Sequence, residues 1–232
     1  MKLSIIIPTL NEEDNIEKLL GFLNGLQQTY VEIIVVDGGS KDSTVERAKA
    51  YKNVLCFDTQ LMSRAKQMNY GAEKASGEML YFIHADVMPL PSFYADILQA
   101  QKEGYDFGCY RFKFDKEHRA LAFNAYFTRF NRMFCRGGDQ TMFITKTLFN
   151  KYEGFDTYYS IMEDFDFIRR VKKKEKFKII PKSVVVSARK YDHNSYLKVN
   201  LINLMSYWMF MLGKSPDDIR TFYKKNLVMK YE

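Results

Sequence analysis

An imidazole and a carboxylate lie two residues apart at the end of an apolar run, in the segment MLYFIHAD at residues 79–86. His84 and Asp86 are followed by Val-Met-Pro, and the proline marks the end of the strand that the run predicts. A carboxylate at the end of a buried strand is costly unless it is paired or contributes to a site. The pair therefore indicates either an expensive structural feature or a place where chemistry is done.

Two earlier apolar runs end in the same way. SIIIPTLNEEDN at residues 4–15 and VEIIVVDGGSKDST at residues 31–44 each pass from Ile and Val into polar residues and the start of a helix. In an open parallel sheet such strand ends share one crevice, and ligands bind in that crevice. We therefore expect the polar residues at the three strand ends to form one site.

The elements that position these strand ends alternate between strand and helix in the first half of the chain. After the first strand, a helix capped by Asn11 carries the apolar stripe Ile16, Leu19, Leu20 and Leu23. The pattern then predicts a strand at 31–36, a helix from about Asp42, a strand at 53–57, a helix from Ser63 to Gly77, a strand at 79–83 and a helix from Pro91 to near Gly104. This alternation predicts an α/β fold with a mostly parallel central sheet and helices on both faces.

The pattern changes beyond residue 104. In the segment 106–114, aromatic residues at 110, 112 and 114 alternate with the basic residues Arg111 and Lys113, which is typical of an antiparallel or edge strand. An aromatic helical stretch at 118–134 follows. The order continues with a tight Gly pair at 137–138, a strand at 141–145, a helix from near Glu163, two strands on either side of Pro181 and a helical remainder. We predict one domain with a C-terminal helical extension.

Composition and charge narrow the classes of partner. With 232 residues, 47% of them hydrophobic and 16% aromatic, the chain has the composition of an ordered globular protein. Its formal net charge of +7 suits an anionic ligand or surface, but the basic residues are spread along the chain, so no nucleic-acid partner is expected. Three cysteines without metal-ligand spacing suit a reducing cytosol.

The apolar runs do not predict a targeting segment. The first run is too short for a signal peptide, and no run reaches the roughly 20 apolar residues of a membrane span. The segment LINLMSYWMFML at 201–212 comes nearest, and it is interpreted either as a core helix or dimer contact, or as an interfacial helix. We expect a cytoplasmic protein, at the inner face of the membrane if this helix is interfacial.

Four tracts occur in one order along the chain, namely IIIPTLNEEDN, VEIIVVDGGSKDST, RAKQMNYGAEKASGEMLYFIHAD and a later MED. With them the chain resembles the family 2 glycosyltransferases of the GT-A fold. Through RAKQMNYGAEKASG, HAD, GDQ, MED and the SAR tract it looks most like the small stand-alone subgroup labelled arsenosugar-biosynthesis glycosyltransferases. The resemblance implies a catalytic domain at 1–190, with a nucleotide-binding half at about 1–104 and an acceptor-binding half at about 105–190, followed by the helical extension at 191–232.

The resemblance also implies roles for residues at the strand ends. The residues that match nucleotide-contacting or pocket-lining positions are Pro8, Thr9, Asn11, Glu12, Asp37, Arg64 and Asn69, with Asp37 as the carboxylate that binds the base. Asp86 matches the last acid of the D-x-D motif, which holds a divalent cation against the diphosphate of a sugar nucleotide. Mg²⁺ is often held by one or two carboxylates plus phosphate oxygens, so Asp86 alone suffices for Mg²⁺ or Mn²⁺.

His84 departs from the acidic first position of that motif. It is interpreted as a secondary metal ligand if Mn²⁺ is used, or as a hydrogen-bonded core imidazole. His193 is a third candidate ligand, although a lone loop histidine is usually not one.

Glu163 and Asp164 match the acidic pair that supplies the catalytic base of the family. We predict Asp164 as the base that takes a proton from the acceptor hydroxyl and Glu163 as its neighbour at the sugar or acceptor. A direct displacement of this kind inverts the anomeric carbon. The alternative is that both acids only favour the dipole at a helix N-terminus.

Three further residues are placed at the donor by the resemblance. Arg189, with Lys190 beside it, is predicted to reach the diphosphate, the alternative being solvated surface charge. Asp139 and Gln140 are predicted to bind sugar hydroxyls, the alternative being an ordinary Gly-rich turn.

The first hypothesis for function is an inverting glycosyltransferase that uses a nucleoside-diphosphate sugar, a divalent metal and a hydroxyl acceptor that is a small molecule, a glycan or a lipid. A noncatalytic module that binds a membrane or a partner, or a homodimer, would use the basic charge and the aromatic C-terminal helices. A sugar nucleotidyltransferase is the third hypothesis, but IIIPTLNEED lacks the Gly-rich basic signature that it needs. The chain also lacks G-x-G-x-x-G and GxxxxGK[ST], so a dinucleotide site or a P-loop is not expected.

Overall fold

The computed structural model describes residues 1–137 and 140–228. Within them one sheet of eight strands has the order β3-β2-β1-β4-β7-β6-β8-β5. The strands are β1 (Leu3–Thr9), β2 (Val31–Asp37), β3 (Val54–Asp58), β4 (Met79–Phe82), β5 (Val87–Met88), β6 (Phe107–Phe114), β7 (Met142–Thr145) and β8 (Lys178–Val186). The helices are α1 (Glu13–Gly25), α2 (Thr44–Lys49), α3 (Arg64–Lys74), α4 (Phe93–Lys102), α5 (Arg119–Tyr126), α6 (Lys146–Lys151), α7 (Glu163–Lys172), α8 (Tyr196–Met211) and α9 (Pro216–Asn226).

The first four strands form a parallel layer that is covered on both faces. β1 lies between β2 and β4, and all seven of its residues are buried. Because side chains alternate along a strand, Ile5 and Ile7 pack into the core cluster that contains the apolar stripe of α1, whereas Ile6 packs with α3. The register pairs Thr9 with Asp37, so the polar ends of β1 and β2 lie side by side. The predicted α/β class, with a parallel layer and helices on both faces, is confirmed.

The second half of the sheet is mixed. β7 pairs antiparallel with both β4 and β6, and β6 runs parallel to β8. The two strands predicted around Pro181 are wrong as separate elements, because β8 runs through this residue. Ile180 pairs with Tyr110 and Ser183 with Arg111, so Pro181 and Lys182 occupy a bulge. Residues in a bulge are not paired in the ladder, so a proline there removes no ladder hydrogen bond.

Two predicted helices have different bounds. Asn11 does not cap α1, because it adopts a left-handed φ of 52° and its side-chain oxygen accepts a hydrogen bond from the Lys41 N–H at 2.9 Å. Asparagine tolerates this conformation, and here its side chain joins two loops instead of starting a helix. In the aromatic stretch, α5 ends at Tyr126, and only two short 3-10 turns follow, at Phe127–Arg129 and Met133–Cys135.

The chain ends in two antiparallel helices, α8 and α9, which share a small core of Val199, Ile202 and Leu227. In the part of the chain that the structure describes, no helix is both long enough and apolar enough to cross a bilayer. The predicted domain boundary at residue 190 stays a prediction, and α8 contacts the preceding domain through aromatic side chains. Phe165 of α7 lies 5.7 Å from the ring of Tyr207 and 6.3 Å from that of Phe210.

Candidate active site

The ends of β1 and β2 are joined by a buried carboxylate. Asp37 is fully buried, and its two oxygens accept hydrogen bonds from the Thr9 hydroxyl at 2.9 Å, the Gly39 N–H at 2.8 Å, the Ser40 N–H at 2.7 Å and the Ser40 hydroxyl at 2.5 Å. The positive φ of 97° at Gly39 allows the tight turn that brings these donors together. Asp37 therefore shapes the turn after β2, while a contact between this carboxylate and a base stays a prediction.

The loop after β1 is tied to the same turn. The Asn11 N–H donates to the Ser40 hydroxyl and the Glu12 N–H to the Thr44 hydroxyl, both at 2.8 Å. Pro8 is buried within β1, opposite Val36. These bonds hold the residues predicted for the nucleotide on one rigid edge of the sheet.

Gln67 is a structural member of this edge that sequence reasoning missed. Its amide nitrogen donates to the Thr9 carbonyl at 2.7 Å and to the Val36 carbonyl at 3.0 Å, so α3 is fastened to both strand ends. A side chain at residue 38 would meet this amide at 2.9 Å, which accounts for Gly38. The available signal was a glutamine between Ala65 and Met68, on the buried face of an amphipathic helix.

Arg189 joins two acidic residues that come from different strand ends. Its guanidinium makes a bidentate ion pair with Glu12, in which Nη1 donates to Oε2 at 2.8 Å and Nη2 donates to Oε1. The same Nη2 lies 3.1 Å from Asp86 Oδ2. The Asn15 side chain adds a 2.6 Å hydrogen bond to Glu12. Asp86 and Glu12 thus contact one cationic nitrogen beyond the ends of β1 and β4. Sequence reasoning placed all three residues in the donor site but did not predict that they pair.

The residues around the Arg189 nitrogen decide whether a divalent cation fits between Glu12 and Asp86. In residues 1–137 and 140–228 no group of three or more His, Cys, Asp or Glu is arranged to hold a metal. A cation between Glu12 and Asp86 nevertheless meets two carboxylates, and two carboxylates plus phosphate oxygens form a common ligand set for Mg²⁺. The residues therefore fit a metal that is completed by the substrate.

The two candidate histidines and Lys190 have different surroundings. His84 is half-buried, and its carbonyl accepts the Val87 N–H at 3.1 Å in the turn that carries Asp86. His193 is exposed on the loop before α8. The Lys190 ammonium lies 4.9 Å from the centre of the Tyr223 ring, toward α9. Metal ligation by His84 stays a prediction.

The acidic pair lies at the first turn of α7. Glu163 is buried, with 4% of its surface exposed, and its carboxylate is 3.9 Å from the Arg64 guanidinium at the start of α3. Asp164 is more exposed than Glu163. The preceding Met162 takes a left-handed φ of 68°, which turns the chain sharply into the helix. Through Arg64, one turn before Gln67, the acidic pair is connected to the edge that carries Thr9.

A third acid of α7 has a structural role. Asp166 is buried and accepts hydrogen bonds from Arg169 at 3.1 Å and Arg170 at 2.7 Å. Arg170 also donates to the carbonyls of Tyr152 and Gly154, at 2.6 and 2.7 Å. These bonds hold the first turn of α7 against the segment before it.

Asn69 is engaged with the backbone. Its amide nitrogen donates to the Phe155 carbonyl at 2.8 Å, and its oxygen accepts the Phe155 N–H at 2.9 Å. The side chain therefore fastens α3 to the segment before α7, and its predicted role in lining the nucleotide pocket stays untested.

Gln140 presents an unused hydrogen-bonding group. It is 2% exposed, and within the described part of the chain neither its amide oxygen nor its amide nitrogen has a hydrogen-bond partner. A buried amide without partners costs about 1–3 kcal/mol, and the predicted binding of sugar hydroxyls by Gln140 stays a prediction. Asp139, the other residue predicted to bind sugar hydroxyls, lies outside the described residues.

Comparison with known proteins identifies the family of the chain. The model of glycosyl transferase family 2 matches residues 4–159. Dolichol-phosphate mannosyltransferase of Pyrococcus furiosus is 34% identical over 113 residues, which are 46% of this chain and 32% of that protein. Glycosyltransferase AglE of Haloferax volcanii is 42% identical over 96 residues, which are 37% of this chain and 31% of that protein. The chain spans about a third of the length of these curated relatives.

Solved structures share the fold. S. aureus TarS 1-349 in complex with UDP superposes with a TM-score of 0.66 at 17% identity, covering 97% of this chain and 70% of that chain. Mannosyltransferase PcManGT from Pyrobaculum calidifontis, in complex with GDP-Man and Mn²⁺, gives a TM-score of 0.65 at 18% identity, covering 96% of this chain and 68% of that chain. At these identities the likeness shows the GT-A fold alone. Since the family model spans more than half of the sequence, the chain belongs to glycosyl transferase family 2.

Proposed function

We propose that this chain transfers a sugar from a nucleoside-diphosphate sugar to a hydroxyl acceptor, with inversion at the anomeric carbon. The observation that carries the proposal is the cationic nitrogen held by Glu12 and Asp86 at the carboxyl ends of the parallel strands. A crevice of this kind is where open α/β sheets bind ligands, and an arginine there can exchange its carboxylate partners for a diphosphate. TarS and PcManGT, which share the fold, have been solved with UDP and with GDP-Man.

Residues 1–104 are assigned to the nucleotide, which would bind at a pre-organised edge of the sheet. Thr9, Asp37 and Gln67 fix the edge of the sheet, and the loops that carry Asn11 and Glu12 are hydrogen-bonded to the turn after β2. Because these groups satisfy one another, the edge needs little reorganisation when a nucleotide binds. Arg64, whose side chain is half exposed, is assigned to the phosphate or ribose side of the donor.

Asp86 is assigned to the divalent cation, Mg²⁺ or Mn²⁺, with Glu12 beside it. When bound, the metal neutralises charge that develops on the departing diphosphate. Arg189 then leaves its two carboxylates and turns to the phosphate oxygens, to which guanidinium groups bind in a bidentate manner. The residue thereby keeps the acidic corner neutralised before the donor arrives and contributes positive charge to the leaving group afterwards.

Asp164 is assigned as the general base. It accepts the proton of the acceptor hydroxyl while that oxygen attacks the anomeric carbon, and the bond from this carbon to the diphosphate oxygen breaks with its electron pair on the diphosphate. Direct displacement inverts the configuration. Glu163, held 3.9 Å from Arg64, positions the first turn of α7 against the donor half. Gln140, together with Asp139, is assigned to sugar hydroxyls because its buried amide makes no side-chain hydrogen bond to the described residues.

The acceptor is assigned only to the class of hydroxyl compounds, whether small molecule, glycan or lipid. The HAD, GDQ, MED and SAR tracts favour the arsenosugar-biosynthesis subgroup and hence a small-molecule acceptor, whereas the relative from Pyrococcus furiosus is a dolichol-phosphate enzyme. A cytoplasmic location, at the inner face of the membrane, agrees with either acceptor. The nucleotidyltransferase alternative has no support in the family match.

A donor screen tests the proposal. We expect UDP-, GDP- or dTDP-sugars with Mn²⁺ to raise the melting temperature of the protein, since a ligand that binds only the native state stabilises it by mass action. Addition of EDTA should remove most of the shift, and NMR of the product should show the inverted anomer. The absence of a shift with every sugar nucleotide, or turnover unchanged by EDTA, contradicts the proposed mechanism.

A further inference from the structure

One side of α8 is apolar and uncovered. The outer face of α8 is defined by Leu197, Leu201, Leu204, Met205, Trp208, Met211 and Leu212, which are between 43% and 78% exposed. These residues recur at intervals of three and four and form a single stripe along the helix. The opposite stripe, Val199, Ile202, Ser206 and Phe210, is buried against the rest of the protein. A helix that is apolar all round normally has both sides covered.

The charged residues between Ser195 and Ser215 have one sign, and the exposed Asp217 and Asp218 follow at the start of α9. From Ser195 to Ser215 the sequence contains no Asp or Glu, and the exposed Lys198 and Lys214 stand at the two ends of the helix. Lysines at the ends of an apolar helix extend their ammonium groups into the headgroup region while the apolar stripe is immersed. An indole on the same face, that of Trp208, suits the boundary between headgroups and acyl chains.

The same charges argue against a second copy of the chain as the occupant. In a two-fold symmetric contact, antiparallel α8 helices bring Lys198 of one copy to Lys214 of the other, and parallel helices bring identical lysines together. Both arrangements place like charges next to each other at the ends of the contact, which disfavours pairing. An anionic lipid surface pairs with these lysines instead.

The length of α8 determines its orientation on a bilayer. Its 16 residues extend about 24 Å, less than the hydrocarbon thickness of about 30 Å, so the helix lies along the surface. Its inner side rests on α7, where Phe210 and Tyr207 contact Phe165, the residue after Asp164. Docking of the outer face therefore brings the end of α7 that carries the acidic pair close to the membrane.

We propose that the outer face of α8 docks this protein on an anionic lipid bilayer. The step from docking to delivery of an acceptor at α7 rests on the proposed transferase function, whereas docking itself does not. Vesicle binding without donor or metal therefore tests this inference, and the donor melting shift tests the other.

The experiment is flotation of the full chain with vesicles of phosphatidylcholine and phosphatidylglycerol, compared with pure phosphatidylcholine. We expect binding to the anionic vesicles that weakens with added salt. Trp208→Glu should reduce the fraction bound at least about tenfold, and Lys198→Glu and Lys214→Glu about fivefold each. Leu55→Glu, at an exposed leucine on β3, is the matched control and should bind like the unmodified protein.

Folding and self-association are checked on the same samples. Each variant should retain its circular dichroism spectrum and its donor-dependent melting shift. If Trp208→Glu does not fold, Lys198→Glu and Lys214→Glu still test the inference. Absence of flotation in the unmodified protein overturns the inference. A dimer in light scattering that Trp208→Glu converts to a monomer, with equal recovery in both kinds of vesicle, also overturns it and assigns the face to self-association.

Discussion

Residues 1–104, the half proposed to bind the nucleotide, differ from the described chain beyond them in how their polar and apolar groups are used. In the first half Asp37, Thr9 and Gln67 satisfy one another, and the strand ends are closed by hydrogen bonds. Beyond residue 104 the amide of Gln140 is buried without a described partner. Of the sixteen large hydrophobic residues exposed in the described chain, thirteen lie in this second part. The strand ends of the first half are thus tied together by hydrogen bonds, whereas most of the exposed large hydrophobic side chains lie beyond it.

This difference follows from what the two parts are proposed to bind. A nucleoside diphosphate has one shape and charge, so a pre-organised edge binds it at little entropic cost. An acceptor that approaches from solution or from a bilayer meets exposed aromatic and aliphatic surface instead. Substitutions in the two parts should therefore affect donor binding, chemistry or stability separately.

The largest effect is expected at Asp86. Asp86→Ala should lower kcat/KM at least about 10³-fold, because both the metal and the charge balance of the donor corner depend on this carboxylate. Turnover with the best donor of the screen, at saturating Mn²⁺, measures the effect. Glu73→Gln, at an exposed carboxylate on α3, is the control and should leave turnover unchanged. Retention of activity in Asp86→Ala removes this residue from the metal site.

Asp164→Asn should separate chemistry from donor binding. We expect kcat to fall about 10²- to 10⁴-fold, since the amide does not accept the acceptor proton, while the melting shift with donor and Mn²⁺ stays within error. Asp156→Asn, at an exposed aspartate before α7, serves as the matched control. Equal losses of donor binding and kcat would instead make Asp164 part of the donor site.

Arg189→Ala tests whether Arg189 exchanges the carboxylates of Glu12 and Asp86 for the diphosphate of the donor. Loss of the guanidinium should tighten binding of Mn²⁺ to the donor-free protein about tenfold, or about 1.4 kcal/mol, and should raise the KM of the donor. Electron paramagnetic resonance of free Mn²⁺ measures the first effect without turnover. Lys190→Ala, whose ammonium faces Tyr223, is the control. Unchanged Mn²⁺ affinity would show that Arg189 does not compete for the cation position.

Asn69→Ala should act on stability. It removes two hydrogen bonds to the Phe155 backbone, so the free energy of unfolding is expected to fall by about 1–3 kcal/mol with the donor KM changed less than twofold. Urea unfolding and donor kinetics are measured beside Asn150→Ala, at an exposed position of α6. A raised KM of the donor with unchanged stability would instead indicate that Asn69 lines the nucleotide pocket.

The smallest effect is the pH dependence contributed by Asp42. Burial raises the pKa of its carboxyl, but hydrogen bonds from the Thr44 hydroxyl, the Thr44 N–H and the Glu13 N–H outweigh burial and hold the pKa below its ordinary value. Since the folded-state pKa is the lower one, the stabilisation is present above about pH 4 and is lost as the pH falls through the folded-state value. Asp42→Asn should therefore lower the urea midpoint at pH 7 and differ less from the parent protein near pH 3. An equal difference at both pH values would contradict this assignment.

Local patterns predicted much of the fold and the members of the candidate site. Continuous apolar runs located β1, β2 and β4, and the polar residues that follow them are members of the candidate site. Pairing between distant residues was beyond local patterns. The bulge at Pro181 depends on the register of β8 against β6. The two hydrogen bonds between Asn69 and Phe155 join residues that are 86 positions apart.

By itself the sequence determined most element types and the family, because periodicity and strand-end chemistry are local and occur in a diagnostic order. Only the tertiary structure decided that Arg189 stands between Glu12 and Asp86, 177 positions along the chain from the former. It also decided which stripe of α8 is covered, since that helix is apolar on both sides and its sequence does not distinguish them. Both outcomes depend on which surfaces meet when the sheet closes, a property of packing across the whole chain.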